Sequence, residues 1–253
     1  MSSRAELEVR VAGRFARDAL AAGDGEVCAI FQRSFYLRTA AGFACFGDAR
    51  LGRGPLNAEL DTLPSVTIGA RLAASLSNAQ AWTPPPFRDG PVALADARPP
   101  DEGFGGLVIG RHNALAVHAQ PALEAIDRWL VGHSLDAAAE GLIGLGPGLT
   151  PSGDDYLGGV LVALQLRGRG VHAASLWRWL EPRLAARTSE LSAAHLVAAA
   201  AGEAHEALHE VLGNLSAWQA PDLHPALSKL DAVGHSSGWD ALAGAVAVAK
   251  TAQ

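Results

Sequence analysis

The chain has 253 residues, only 18% of them charged, with a net charge of −6. That length carries one large domain or two modest ones, and the acidic balance without any basic run excludes non-specific nucleic-acid binding. Two cysteines, Cys28 and Cys45, are too few for a disulfide scaffold. The N-terminal stretch lacks the apolar segment of a signal peptide and no apolar run is long enough to span a bilayer, so a cytoplasmic protein without membrane contact is expected.

The N-terminal residues through "GRFARDALAAG" read as a helix. Short apolar runs punctuated by Gly and Pro follow: "EVCAIF" (26–31), "FYLRT" (35–39), "GFACF" (42–46), "PLNAEL" (55–60), "SVTIGA" (65–70), "PVALAD" (91–96) and "LVIGRHNALAVHA" (107–119). They predict the strands of a small barrel or sandwich, interrupted by an ordered loop at Trp82–Phe87, where three prolines cannot join a ladder. From Pro121 the period turns helical, with Leu123, Ile126, Trp129 and Leu130 on one face and Pro121 suited to a first turn. Further helices are expected over 135–143, 154–167, 173–181, 189–213 and 238–250, with Pro182 ending or kinking the third of these. The fold class is α+β: a β-rich part over 1–120 and a helical part over 121–253. No internal repeat is evident.

"GLGPGLTPSGDD" (144–155) carries the densest chemistry. Ser152-Gly153-Asp154-Asp155 has the spacing of a capping box, with Ser152 on the N–H of Asp155. Capping leaves Gly144, Gly146 and Gly148 unexplained. Alternating glycines free backbone N–H groups, and a helix N-terminus adds positive potential, so the loop suits an anion. It follows neither Walker nor Rossmann spacing. Paired carboxylates beside an anion call for a bridging Mg²⁺ held by Asp154 and Asp155, or for a substrate amide bonding to one of them. Adjacent helical positions point about 100° apart, which leaves open the one facing a ligand.

Two more helix starts share this style. In "RTSELSAAHL" (187–196) Ser189 can cap a helix behind Arg187, and "GHSSGWDALAG" (234–244) contains a second capping-box spacing from Ser237 to Asp240. Three such starts suggest convergence on one pocket, with His235 as a proton carrier and Trp239 as an aromatic wall. Core packing for Trp239 and a satisfied surface role for His235 weigh equally. "HEALH" (205–209) matches the H-E-x-x-H zinc pattern through His205, Glu206 and His209. It lacks the extended motif, since Leu212 and Leu215 occupy the further positions, and a zinc hydrolase is the lesser reading.

Together, "GLGPGLTPSGDDYLGG", "TSELSAAHL" and "GHSSGWDALAG" resemble the AllH-type family, which includes a subunit of oxamate carbamoyltransferase. "GPLNAEL" and "SNAQAW" are similar to shorter family features. The resemblance implies carbamoyl exchange between carbamoyl phosphate and oxamate, giving oxalurate, alongside subunits similar to AllF (FdrA) and AllG. On that reading Asp154, Asp155 and His235 are catalytic. Gly146, Gly148, Thr150, Ser152, Gly153, Arg187, Ser189, Ser192, Ser236, Ser237, Trp239 and Asp240 bind substrate, with Arg111 and His112 as further cations. The alternative is a non-catalytic subunit that binds an anionic metabolite or serves assembly.

Overall fold

The computed structural model describes residues 6–87, 94, 97–215 and 224–251. The chain divides into two compact units, Met1–Pro85 and Pro86–Gln253.

The first unit is one curled sheet, β1 (Glu6–Glu8), β2 (Val11–Ala12), β3 (Gly25–Ile30), β4 (Ser34–Thr39), β5 (Gly42–Gly47), β6 (Asn57–Glu59), β7 (Arg71–Ser75) and β8 (Gln80–Ala81), with helix α1 (Arg14–Ala21). The strand order is β1-β7-β3-β4-β5-β6-β2-β8. β1 and β2 lie near opposite ends of that order, yet only Val9 and Arg10 separate them in the chain. The sheet must therefore curl until its ends approach. β3 shows the half-buried alternation expected of it, with Val27 and Ala29 inside and Glu26 and Ile30 outside. Phe35 stacks on Phe46 at 5.2 Å in a core closed by Ala16 and Leu20 of α1.

Sequence patterning placed two elements of this unit incorrectly. The N-terminal helix is confined to Arg14–Ala21, because the preceding "ELEVRVA" pairs as β1 and β2. "SVTIGA" is a turn region, and the strand begins after it at Arg71. The expected strand over 91–96 falls outside the described residues, Leu94 apart.

The second unit is helical: α2 (Ala114–Leu130), α3 (Ser152–Leu166), α4 (Gly170–Arg187), α5 (Glu190–Ala200), α6 (Glu206–Leu215), α7 (His224–Asp231) and α8 (Ser237–Lys250). Short 3-10 segments lie at Gly105–Ile109 and Ala137–Leu142. α3 is buried nearly all round, from Tyr156 to Leu164, and packs against α8, α5 and α4. The expected strand over 107–119 is instead a 3-10 turn followed by the start of α2. Asn113 caps that helix by accepting from the N–H of Ala116 at 2.9 Å. Pro121 and Pro182 lie inside α2 and α4 without ending them. Both prolines are exposed, so water can replace the hydrogen bonds denied to the carbonyls of Val117 and Arg178.

The helix expected over 189–213 is two helices. Gly202 (φ 82°) stops α5, with its N–H on the carbonyl of Ala199 and the N–H of Glu203 on that of Ala198. Among the described residues no helix is long and apolar enough to cross a membrane.

Candidate functional site at three helix starts

Asp154 joins the glycine loop to the start of α5. One carboxylate oxygen accepts from the N–H of Gly144 at 2.8 Å, and the other accepts from the Thr188 and Ser192 hydroxyls, the latter at 2.6 Å. The loop and α5 are tied a second time where the Ser189 hydroxyl donates to the carbonyl of Leu149 at 2.6 Å. Ser189 also caps α5, accepting from the N–H of Ser192 at 3.0 Å, as its position before the helix predicts. On the other side, the hydroxyls of Thr150 and Ser237 meet at 3.1 Å, tying the loop to the start of α8. The N-termini of α3, α5 and α8 therefore meet around residues 144–153, as three similar helix starts suggested.

The two capping boxes do not form. Pro151 and Ser236 are the N-cap residues of α3 and α8, and neither makes a side-chain cap. Ser152 and Ser237 stand one position inside their helices and exchange partners. The Ser152 hydroxyl donates to Asp240 and the Ser237 hydroxyl to Asp155. This exchange exposes an internal repeat that the sequence reading missed. Ser152-Gly153-Asp154-Asp155-Tyr156-Leu157-Gly158-Gly159 and Ser237-Gly238-Trp239-Asp240-Ala241-Leu242-Ala243-Gly244 share S-G-x-D-x-L-x-G. The contacts of the two copies are reciprocal. A Cβ at Gly159 would collide with the carbonyl oxygen of Ala241, and one at Gly244 with that of Tyr156. These four positions pair as a local two-fold axis between α3 and α8 requires, and only glycine permits such close backbone approach.

The two equivalent carboxylates differ in their partners. Asp240 is fully buried and accepts from the N–H groups of Phe104 and Gly105 and from the hydroxyls of Ser236 and Ser152, Ser236 lying at 2.8 Å. Burial pushes its pKa up to about 6, although these donors pull the other way. Among the described residues Asp155 receives only the Ser237 hydroxyl, and its Oδ2 is enclosed without a hydrogen-bond partner. Burial carries Asp155 well above the usual carboxylate range, Ser237 opposes this, and the charges of Asp240 and Asp154 reinforce it.

The remaining expected residues sort by what they touch. Gly144, Gly146 and Gly148 all have positive φ. Among the described residues no hydrogen bond engages the N–H groups of Gly146, Gly148, Leu149 and Thr150. The N–H of Gly153 is already committed to the carbonyl of Leu145 at 2.9 Å. Arg187 pairs with Glu140 at 2.6 Å, and Arg183 joins the same carboxylate at 3.0 Å. Arg111 braces the carbonyls of Pro99 and Pro100 and pairs with Asp101 at 3.1 Å, while His112 is exposed. Trp239 is core: it is buried and its indole N–H donates to Asp231 at 2.9 Å. The His235 side chain is 82% exposed and lies 3.5 Å from Glu102.

Sequence reading missed Thr188 and the loop at Gly103–Gly105. Asn113 was the available signal for that loop, because its amide also holds the carbonyls of Asp101 and Gly103, each at 2.7 Å.

Neither metal reading fits the donor set. Both oxygens of Asp154 already accept from loop and helix donors, which hold that carboxylate to the loop and to α5 and make it a poor partner to Asp155 for Mg²⁺. In the H-E-x-x-H segment His205 lies outside α6, and its Nδ1 accepts from the N–H of Ala207 at 3.2 Å. The Nε2 of His209 accepts from the N–H of Ala204 at 3.1 Å. Those lone pairs are unavailable to zinc, and no group of three metal-ligating side chains occurs among the described residues.

Residues 142–249 match the sequence model of the family described as oxamate carbamoyltransferase subunit AllH. The match runs from the start of the glycine loop to the end of α8 and contains all three motifs. No solved structure matches the chain.

Proposed function

We propose that this chain, an AllH-family member by its residues 142–249, is a carbamoyltransferase subunit that binds a small anionic substrate where α3, α5 and α8 begin. The observation that carries the reading is the convergence itself. Three helix starts bring positive potential to one place, and the loop over 146–150 adds N–H groups that no hydrogen bond engages among the described residues. Oxamate and carbamoyl phosphate both present oxyanions of the size such a cradle takes. In the exchange, the oxamate nitrogen bonds to the carbamoyl carbon, the carbon–oxygen bond to phosphate breaks, and one N–H proton leaves.

The cations nearest the motifs are already engaged, Arg187 and Arg183 on Glu140 and Arg111 on Asp101. Charge for the departing phosphate then comes from a partner subunit of the AllF (FdrA) or AllG kind. This favours a chain that binds ligand alone and turns over only in an assembly. The test is calorimetric and thermal titration of the purified chain with oxamate, oxalurate, carbamoyl phosphate and inorganic phosphate, followed by assay of oxalurate formation with and without partner subunits. A ligand at about a hundred times its Kd adds about 2.7 kcal/mol of stability. Stabilisation by oxamate or carbamoyl phosphate, with turnover only on adding partners, is the expected outcome. A chain indifferent to all four ligands would overturn the reading.

A further inference from the structure

The two-fold relation between α3 and α8 assigns a role to the unpaired oxygen of Asp155. Asp155 and Asp240 occupy the same position of S-G-x-D-x-L-x-G, and each accepts the hydroxyl of the other copy's serine. Asp240 has its remaining capacity filled from within the chain. The N–H groups of Phe104 and Gly105 reach it from the loop held by Asn113, and Ser236 adds a hydroxyl. Among the described residues no such loop serves Asp155, and its Oδ2 is left enclosed and without a donor. A buried polar atom without a partner is costly, and folded chains seldom leave one uncompensated.

We propose that Asp155 Oδ2 is the acceptor for an amide N–H of the ligand, which takes at Asp155 the place that the Phe104 N–H takes at Asp240. The proposal rests on the helix-start reading above and deepens it, since it selects among small carboxylates those bearing a neutral primary amide. The loop N–H groups take the carboxylate end and Asp155 takes the amide end. The ligand gains access by displacing the Thr150–Ser237 hydroxyl pair, the link between the glycine loop and α8 beside Asp155. Asp154 is the poorer candidate, because it is buried and both its oxygens already accept from Gly144, Thr188 and Ser192.

The experiment compares oxamate with pyruvate, in which a methyl group replaces the amide NH₂ and the rest of the molecule is unchanged. Both are titrated into the wild-type full chain and into Asp155→Ala. One hydrogen bond to a buried polar group corresponds to a few-fold to about tenfold in affinity, so oxamate should bind the wild type that much more tightly than pyruvate. In Asp155→Ala the two affinities should converge on that of pyruvate. The wild-type ratio decides the matter even if the variant folds poorly. Equal wild-type affinities would overturn the amide assignment and leave the anion reading standing. Failure of both anions to bind would overturn the amide assignment, and the anion reading would fall with it if oxalurate, carbamoyl phosphate and phosphate also failed to bind.

Discussion

In α3 the last glycine of the repeated motif, Gly159, lies against the carbonyl of Ala241, and in α8 its counterpart Gly244 lies against that of Tyr156. Backbone packing is thus the same in both copies, as are the buried leucines Leu157 and Leu242. The polar positions are not the same. Asp240 is saturated by the chain's own donors and Asp155 is not; the variable third position is Asp154 in one copy and Trp239 in the other. Packing tolerates little change and preserves the symmetry, whereas the carboxylates carry the difference on which a ligand can act.

The packing half of this comparison breaks most severely. Gly159→Ala and Gly244→Ala each place a methyl group on a backbone oxygen that cannot rotate away. Each should lose about 3 kcal/mol or more in urea unfolding, at the upper end of overpacking costs, and by similar amounts. A large loss in one and none in the other would show that the helices do not cross as a two-fold pair.

At the third motif position Asp154→Ala leaves one N–H, the buried Ser192 hydroxyl and the half-buried Thr188 hydroxyl without this acceptor. About 2–3 kcal/mol should be lost. Because Asp154 positions the loop without holding the ligand's amide, any residual binding should keep the preference for oxamate over pyruvate.

The Asp240 copy should show itself in pH dependence. Its folded value of about 6 lies above the ordinary 3.8, so its contribution is fully present below about pH 4 and lost as pH rises through about 6. The half-buried His195 and the buried His209, each lowered to about 4 by desolvation and then by His205, act in the opposite sense and lose stability as pH falls. Subtracting the unfolding curve of Asp240→Asn isolates the carboxylate. The wild type should gain on the order of 2 kcal/mol relative to the variant on acidification from pH 7 to pH 4. A flat difference would contradict the burial of Asp240 as the source of its shift.

The smallest effect is expected at His235. It stands two residues before α8, as Thr150 stands two residues before α3, and among the described residues it reaches Glu102 at an exposed pairing. His235→Ala should leave stability within about 0.5 kcal/mol, measured by the same urea titration.

Much of the helical unit was legible because helix periodicity and stop signals are local. Ser189 caps α5 as its spacing indicated, and the three hydroxyl-rich starts do meet. Other features depended on what each residue packs against. The spacings at Ser152 and Ser237 mimic capping boxes, but each hydroxyl finds its acceptor on the neighbouring helix, which no spacing encodes. The repeat was hidden because Asp154 and Trp239 differ so greatly that "SGDDYLGG" and "SGWDALAG" read as unrelated segments. The run over 107–119 looked like a strand because Leu107, Val108 and Ile109 are apolar in succession. Asn113 was the overlooked sign of a helix start. In the first unit, the curl of the sheet follows from where β1 and β2 find partners, a long-range property.

The most direct test of the helix-start site is hydrogen–deuterium exchange of the full chain with and without saturating oxamate. Slowed exchange confined to the loop over 144–153 and to the starts of α5 and α8, with the curled sheet unchanged, is the expected result. Protection elsewhere with these three segments unaltered would place the ligand away from the α3–α8 repeat and contradict the assignment.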